Sequence, residues 1–459
     1  MNINIDLSQN PVARAHQAAR TCYFSGKVEL NPSLKESAIA NDCLKSKHLT
    51  VHQHTYATLE ISDVSRFFCS AILYALPYYQ ASQQSLRYVK LESILNSPEN
   101  TAVTSHHLEA YDRAFDLFSK PIADGYTKIW KSKANTPEGK LDIRRATQEL
   151  ARYCLPIGTK TNLTYTVDLI TLAQIVAACE VLGSIFRCNW SEAREFAAKI
   201  KEEIGFKGLG YAELFSDMLS LFVSVHSNPY LQRFRIAVSV EDTKETLTLA
   251  KPYAEAEVYH TERHDYISAK ISSSHAVFCQ IQRHRSLNPE FDFNLTLNLT
   301  QKAISLGEDK LREFEFTPLF KVHSPVKDEK LSSDFLDIIK SLMNGLNKVK
   351  AKEVNNVESF ESLPLCAEQK IRLHGTSQAV SSFASKRLCL RAQNEATRVT
   401  LALNTAYAKA EEIDETKIYF NAPCVINSNT DVKPICPEGK RFCGVTLWKN
   451  PARCYDELL

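Results

Sequence analysis

Nothing in this sequence leans strongly one way. Its formal net charge is +2 over 459 residues, with no long acidic or basic block. That excludes the bulk electrostatic footprint of a nucleic-acid or membrane-surface protein. No apolar run approaches the roughly 18 residues that cross a bilayer. The opening MNINIDLSQNPVARAH lacks the charged-then-apolar pattern of a signal peptide. P-loop, G-x-G-x-x-G, H-E-x-x-H and nucleophile-elbow motifs are all missing. The C-terminal Cys424, Cys436, Cys443 and Cys454 contain no C-x2-C pair, so no metal site is expected there. Thirteen cysteines at irregular spacing, with no export signal, read as reduced thiols of a cytoplasmic protein. What is present is ordinary globular material, 44% hydrophobic and 24% charged, enough for real cores in two to three domains.

The chain resembles itself. HTYATLEISDVSRFFC from His54 and HDYISAKISSSHAVFC from His264 match without a gap at an offset of 210. The shared pairs are His54/His264, Tyr56/Tyr266, Ile61/Ile271, Ser62/Ser272, Phe68/Phe278 and Cys69/Cys279. Further on, Leu155-Pro156 and Leu363-Pro364 correspond at an offset of 208. Two matches at nearly one offset point to a tandem duplication. The expected halves are 1–225 and 226–459, with a link between about 205 and 250. Each half reads as an alternating strand, a short apolar helix, a charged amphipathic helix, the Leu-Pro, and further helices. In the first half, Asn189 and Glu192 suggest an N-cap and capping box, with Gly205 as the stop. In the second, SSFASKRLCLRAQNEATRVTLALNTAY reads as one long helix. The fold class is α+β, two tandem lobes each with a mixed or antiparallel sheet and packed helices.

Three clusters stand out. Arg283, His284 and Arg285 follow Gln280 closely and must repel one another unless an anion sits among them; taken alone, a solvated helix end explains them better. Arg387 and Arg391 lie four apart, as do Arg391 and Glu395, with Arg398 three further on, which suits either a shared face or an exposed ion-pair ladder. Ser85 with Arg87, and Glu149 with Arg152, place arginine forks beside hydroxyl and acidic groups, a chemistry suited to phosphate.

Taken in order, these pieces resemble the flavin-dependent thymidylate synthase (ThyX) family. AARTCYFS, His48 with His54 six residues later, SLRY at 85–88 and ELARYCLP at 149–156 are similar to its motifs in the first half. Gln280, the RHR at 283–285 and KRLCLRAQNEATR are similar to its motifs in the second. Each half lacks what the other keeps. Leu73-Tyr74-Ala75 stand in place of RHR, and Cys179 in place of Arg387. Conversely, Phe293 replaces the signature serine, and Phe360 the counterpart of Arg152.

The resemblance implies reductive methylation of dUMP to dTMP by an FAD enzyme, with NADPH and methylenetetrahydrofolate as co-substrates. It implies Arg387 and Arg152 as catalytic groups. Gln280, Ser85, Arg87, Arg152 and Arg387 would bind substrate, and His48, Arg283, His284 and Arg285 would bind FAD. Family members are homotetramers, so a homodimer of this chain would form a pseudo-tetramer of lobes with composite sites, two complete and two decayed. Family positions also depart at Gln53, Gln83, Thr376 and Gln378. Those departures leave an altered or inactive flavin- or nucleotide-binding protein as the alternative.

Overall fold

The structure, a computed structural model, describes residues 1–86, 101–184, 190–224, 227–233, 253–260, 265–287, 289–291, 329–350 and 361–458. Arg87, Asn189, His264, Phe293, Phe360 and much of the expected link fall outside these residues. The described chain is mixed helix and antiparallel sheet. It forms two compact units, one of residues 1–85, 158–241 and 355–358, the other of 86–157, 242–354 and 359–459. These units have boundaries of their own, beside the halves 1–225 and 226–459 expected from the sequence.

Unit one holds β1 (Asn2–Leu7), β2 (Tyr56–Ser65), β3 (Gln80–Gln83) and β4 (Lys160–Asp168), in the order β1-β2-β4-β3. Unit two holds β5 (Tyr253–His260), β6 (Asp265–Ser274), β7 (Glu290–Phe291) and β8 (Glu368–Thr376), in the order β5-β6-β8-β7. The two sheets thus share one topology. Alternation drives each central strand: Ala57, Leu59 and Ile61 are buried on β2, and Ile267, Ala269 and Ile271 on β6. A bulge between Ile61 and Val64, with Asp63 at φ 58°, adds one residue to β2. The repeat offset therefore slips by one across it, and β2 ends at Ser65 where β6 ends at Ser274.

Both serines cap the helix that follows. Ser65 Oγ accepts from Phe68 N–H at 2.9 Å, and Ser274 Oγ from Val277 N–H at 3.3 Å. A glutamate from a later helix grips each. Glu192 accepts from Ser65 N–H (2.7 Å) and Oγ–H (2.5 Å), and Glu395 accepts from Ser274 N–H and Oγ–H, both at 2.6 Å. Glu192 therefore forms no capping box; its helix, Ser191–Phe206, has Trp190 at the N-cap with no side-chain cap bond.

In unit two, the helices Thr101–Trp130 and Glu329–Lys350 pack together, with Phe118 and Phe335 ring centroids 5.2 Å apart. Beside them the two Leu-Pro segments pair reciprocally. Ile157 N–H donates to Leu363 O at 2.8 Å, and Leu365 N–H to Leu155 O at 2.7 Å, the self-complementary pattern of a two-fold contact. Fully buried His107 spans the pair, its Nδ1 2.6 Å from Cys154 O and its Nε2 3.0 Å from Ser362 O.

Candidate functional site

The long helix expected over 381–407 is broken. It forms as Ser377–Arg387 and Asn394–Ala410, separated by a turn at 388–393. Thr376 caps the first piece by accepting from Ala379 N–H at 3.2 Å, which gives this departing family position a structural task. The break aims Arg387 and Gln393 at the short helix His275–Ile281 from β6. Arg387 Nη1 donates to Gln280 Oε1 at 3.1 Å, and its Nη2 to Gln280 O at 2.8 Å and His284 Nε2 at 2.9 Å. Gln280 Nε2 in turn donates to Gln393 Oε1, which also accepts from Arg152 Nη2. Gln393 Nε2 donates to the Tyr153 hydroxyl, and Tyr153 donates to Glu395.

The electrostatics follow from this arrangement. His284 accepts from a guanidinium, and burial, Arg387 and Lys386 lower its pKa from 6.5 to about 3. It is therefore a neutral ring, packed edge-on against Phe383 at 4.9 Å, and the expected repulsion within RHR shrinks to that between Arg283 and Arg285. Arg283 is exposed and Arg285 half-buried. Burial pushes the Glu395 carboxyl up, although its bonds from Ser274 and Tyr153 and the Arg152 charge pull it down. Burial and the neighbouring carboxylate push Tyr153 well above the usual phenol range. Arg391 departs from the helical ladder read in the sequence. It pairs with Asp142 at 2.8 Å and lies over the Trp130 ring at 5.7 Å.

Four of the expected site residues, Arg152, Gln280, His284 and Arg387, thus join one network within unit two. His48 belongs to unit one, exposed at the start of the turn Leu49–His54. Ser85, half-buried in unit one, follows Gln84, whose N–H donates to Asn162 O at 3.0 Å. The sequence reading assigned no role to Gln393 or Tyr153 and set Glu395 in a salt-bridge ladder. The signal was present in RAQNE, where Gln393 and Glu395 stand two apart immediately after the arginines.

Among the described residues, unit one lacks the equivalent chemistry. Asp168 closes β4 as Thr376 closes β8, and it accepts from Thr171 N–H at 2.9 Å. Cys179 lies as far beyond Asp168 as Arg387 beyond Thr376, fully buried, its thiol pushed up by burial. Tyr74, in the Leu73-Tyr74-Ala75 stretch that the ungapped repeat sets against RHR, stacks on Tyr79 at 4.8 Å, and Tyr79 on Tyr165 at 5.6 Å. Tyr165 donates to Leu73 O at 2.6 Å. An apolar stack fills what is a polar network in unit two.

The fold class is thus mixed helix and antiparallel sheet, and comparison with known proteins shows what part of the chain is similar to. Residues 5–204 match the family model described as Thymidylate synthase complementing protein. Over that stretch the chain is similar to the ThyX family. No curated protein matches the sequence. Among solved structures, thymidylate synthase X (ThyX) from Helicobacter pylori with FAD and dUMP is 19% identical, over 48% of this chain and 99% of that one, with a TM-score of 0.31. The UMP/dUMP methylase PolB from Streptomyces cacaoi bound with 5-Br dUMP is 16% identical, over 47% and 95%, with a TM-score of 0.29. No helix among the described residues is long and apolar enough to cross a membrane.

Proposed function

We propose that this chain is an FAD-dependent thymidylate synthase of the cytoplasm, which methylates dUMP reductively to dTMP with methylenetetrahydrofolate and NADPH as co-substrates. One observation carries the reading. Arg152, from the E-x-x-R-x-x-L-P motif of the first half, and Arg387, from the helix motif of the second, share the bridge Gln393–Gln280. Each half keeps what the other has lost, and one retained arginine from each, Arg152 and Arg387, joins the same network.

The donor set fits a pyrimidine nucleotide. Uracil presents an acceptor-donor-acceptor edge, and the amides of Gln280 and Gln393 can both donate and accept. The two guanidiniums supply charge for a phosphate and for negative charge developing on the uracil oxygens. Arg152 is 8% exposed, so its charge acts where water screens little. FAD, when bound, supplies the reducing equivalents. Arg283, Arg285 and neutral His284 would hold it, with His48 and the Ser85–Arg87 motif contributed as the family arrangement implies, in a homodimer that forms a pseudo-tetramer of lobes. Thr376 and Gln378 stand where the family places other polar groups, which favours an altered flavin- or nucleotide-binding protein as the second reading.

The decayed state of unit one makes stoichiometry informative. Calorimetric titration of the FAD-loaded protein with dUMP is expected to give one site per chain. Two equivalent sites per chain would contradict the composite-site reading, and no binding would remove dUMP as the substrate.

A further inference from the structure

Tyr153 lies in unit two, fully buried in the turn Arg152–Cys154. Its hydroxyl closes a circuit of contacts. Glu395 holds Ser274, which caps the helix His275–Ile281, and it also accepts from Tyr153. Tyr153 accepts from Gln393, and Gln393 accepts from Gln280 in the last turn of that same helix. One helix is gripped at both ends, and the two grips meet at one phenol.

The circuit also has a direction. An arginine side chain can only donate, and so can the backbone N–H of Ser274. Arg152 therefore turns the Gln393 carbonyl toward itself, and Arg387 does the same to the Gln280 carbonyl. At the other end, Glu395 accepts from Ser274 N–H and Oγ–H and takes the phenol proton of Tyr153. The phenol oxygen is left to accept, which suits the amino group of Gln393. Both ends demand the same orientation, so neither amide can flip without losing bonds on both its atoms. Gln393 is 1% exposed, so half-buried Gln280 is the amide that can reach a ligand. Among the described residues, its Nε2 donates to Gln393 and its Oε1 accepts from Arg387. One N–H and one lone pair remain on it, side by side in a fixed order.

Unit one shows that this link is no requirement of the fold. Glu192 grips Ser65 as Glu395 grips Ser274, but its third contact is Lys160 Nζ at 3.2 Å. Trp190 stands two residues before Glu192, where Gln393 precedes Glu395, and stacks on Phe67 at 5.1 Å. The serine–glutamate clasp recurs, while the amide link accompanies Arg152 and Arg387.

We propose that Tyr153 is a positioning residue that fixes the direction of the Gln393 and Gln280 amides and so sets the site's choice of uracil over cytosine. Uracil offers N3–H beside a carbonyl, which matches the carbonyl and N–H left on Gln280. Cytosine in the same pose offers a bare N3 and an amino group, so lone pair meets lone pair and N–H meets N–H. A mismatch of this kind leaves polar groups unpaired, and that rejects an analogue strongly. The inference rests on the dUMP reading above and adds the group that enforces it.

The test titrates the FAD-loaded full chain with dUMP and with dCMP by calorimetry. Wild type is expected to prefer dUMP by at least about a hundredfold. Tyr153→Phe keeps the ring, removes the hydroxyl and should lower that preference about tenfold. Gln393→Met cuts the same link from its other side, should lower the preference similarly, and decides the matter where Tyr153→Phe fails to fold. Tyr165→Phe removes an equally buried hydroxyl from unit one; it should lower the thermal midpoint and keep the wild-type preference. A merely structural Tyr153 would behave as Tyr165 does. A folded variant at Tyr153 or Gln393 that keeps the wild-type ratio overturns the proposal and leaves the dUMP reading standing. So does a wild type that binds dCMP as tightly as dUMP. A wild type that binds neither nucleotide ends the reading and the inference with it.

Discussion

Arg387→Ala is expected to lower dUMP affinity at least about a hundredfold, since it removes a charged group worth roughly 3 kcal/mol or more in hydrogen bonds. The side chain organises the site as well as offering it charge. Its Nη1 and Nη2 hold both ends of Gln280, and Nη2 adds to the burial that keeps His284 neutral. Alanine would release all three constraints. Lysine keeps the charge without the fork, and Arg387→Lys should recover only part of the affinity. Equilibrium titration with dUMP measures both, and an unchanged affinity in Arg387→Ala would remove the residue from the site.

Glu395 carries the second large effect, on stability. It accepts from Ser274 N–H, Ser274 Oγ–H and Tyr153 in a fully buried position. Glu395→Ala leaves these donors without their acceptor and is expected to cost about 3 kcal/mol. Its pH dependence has a definite sign. Burial holds the carboxyl above its ordinary 4.5, so the native state binds the proton more tightly than the unfolded chain. That stability is fully present below the ordinary value and is lost as pH rises through the raised one. Glu395→Gln mimics the protonated form and should flatten this slope. Urea midpoints between about pH 4 and about pH 8 would show it; a midpoint for Glu395→Gln that tracks wild type across that range contradicts the account.

Much of this was legible in residue order because periodicity and local caps are sequence properties. The alternation in β2 and β6 and the repeat of motifs around them appear directly in the chain. The break at 388–393 was not legible, because Leu388, Cys389, Leu390 and Arg391 carry no glycine or proline and suit a helix well. Tertiary partners decide there instead: Asp142 takes Arg391, and Tyr455 takes the Leu388 carbonyl. Glu192 misled for a related reason, since a capping box is a local inference and Ser65 lies far away in sequence. The bulge at Asp63 shifted the repeat by one residue without a gap visible in the motif matches. Arg152 with Gln393 is a distant pairing that spacing cannot encode.

The central claim is that parts from both halves of one chain make one site, and mixing tests it most directly. Single-turnover dTMP formation would be measured with FAD, NADPH, methylenetetrahydrofolate and dUMP for wild type, Arg152→Ala, Arg387→Ala, and the two variants co-assembled. Wild type should form dTMP, each variant should not, and the co-assembled pair should stay inactive because every site contains one defect. Activity restored in the pair would place the two arginines in different chains and contradict the account. Absence of dTMP from wild type would end the synthase reading itself.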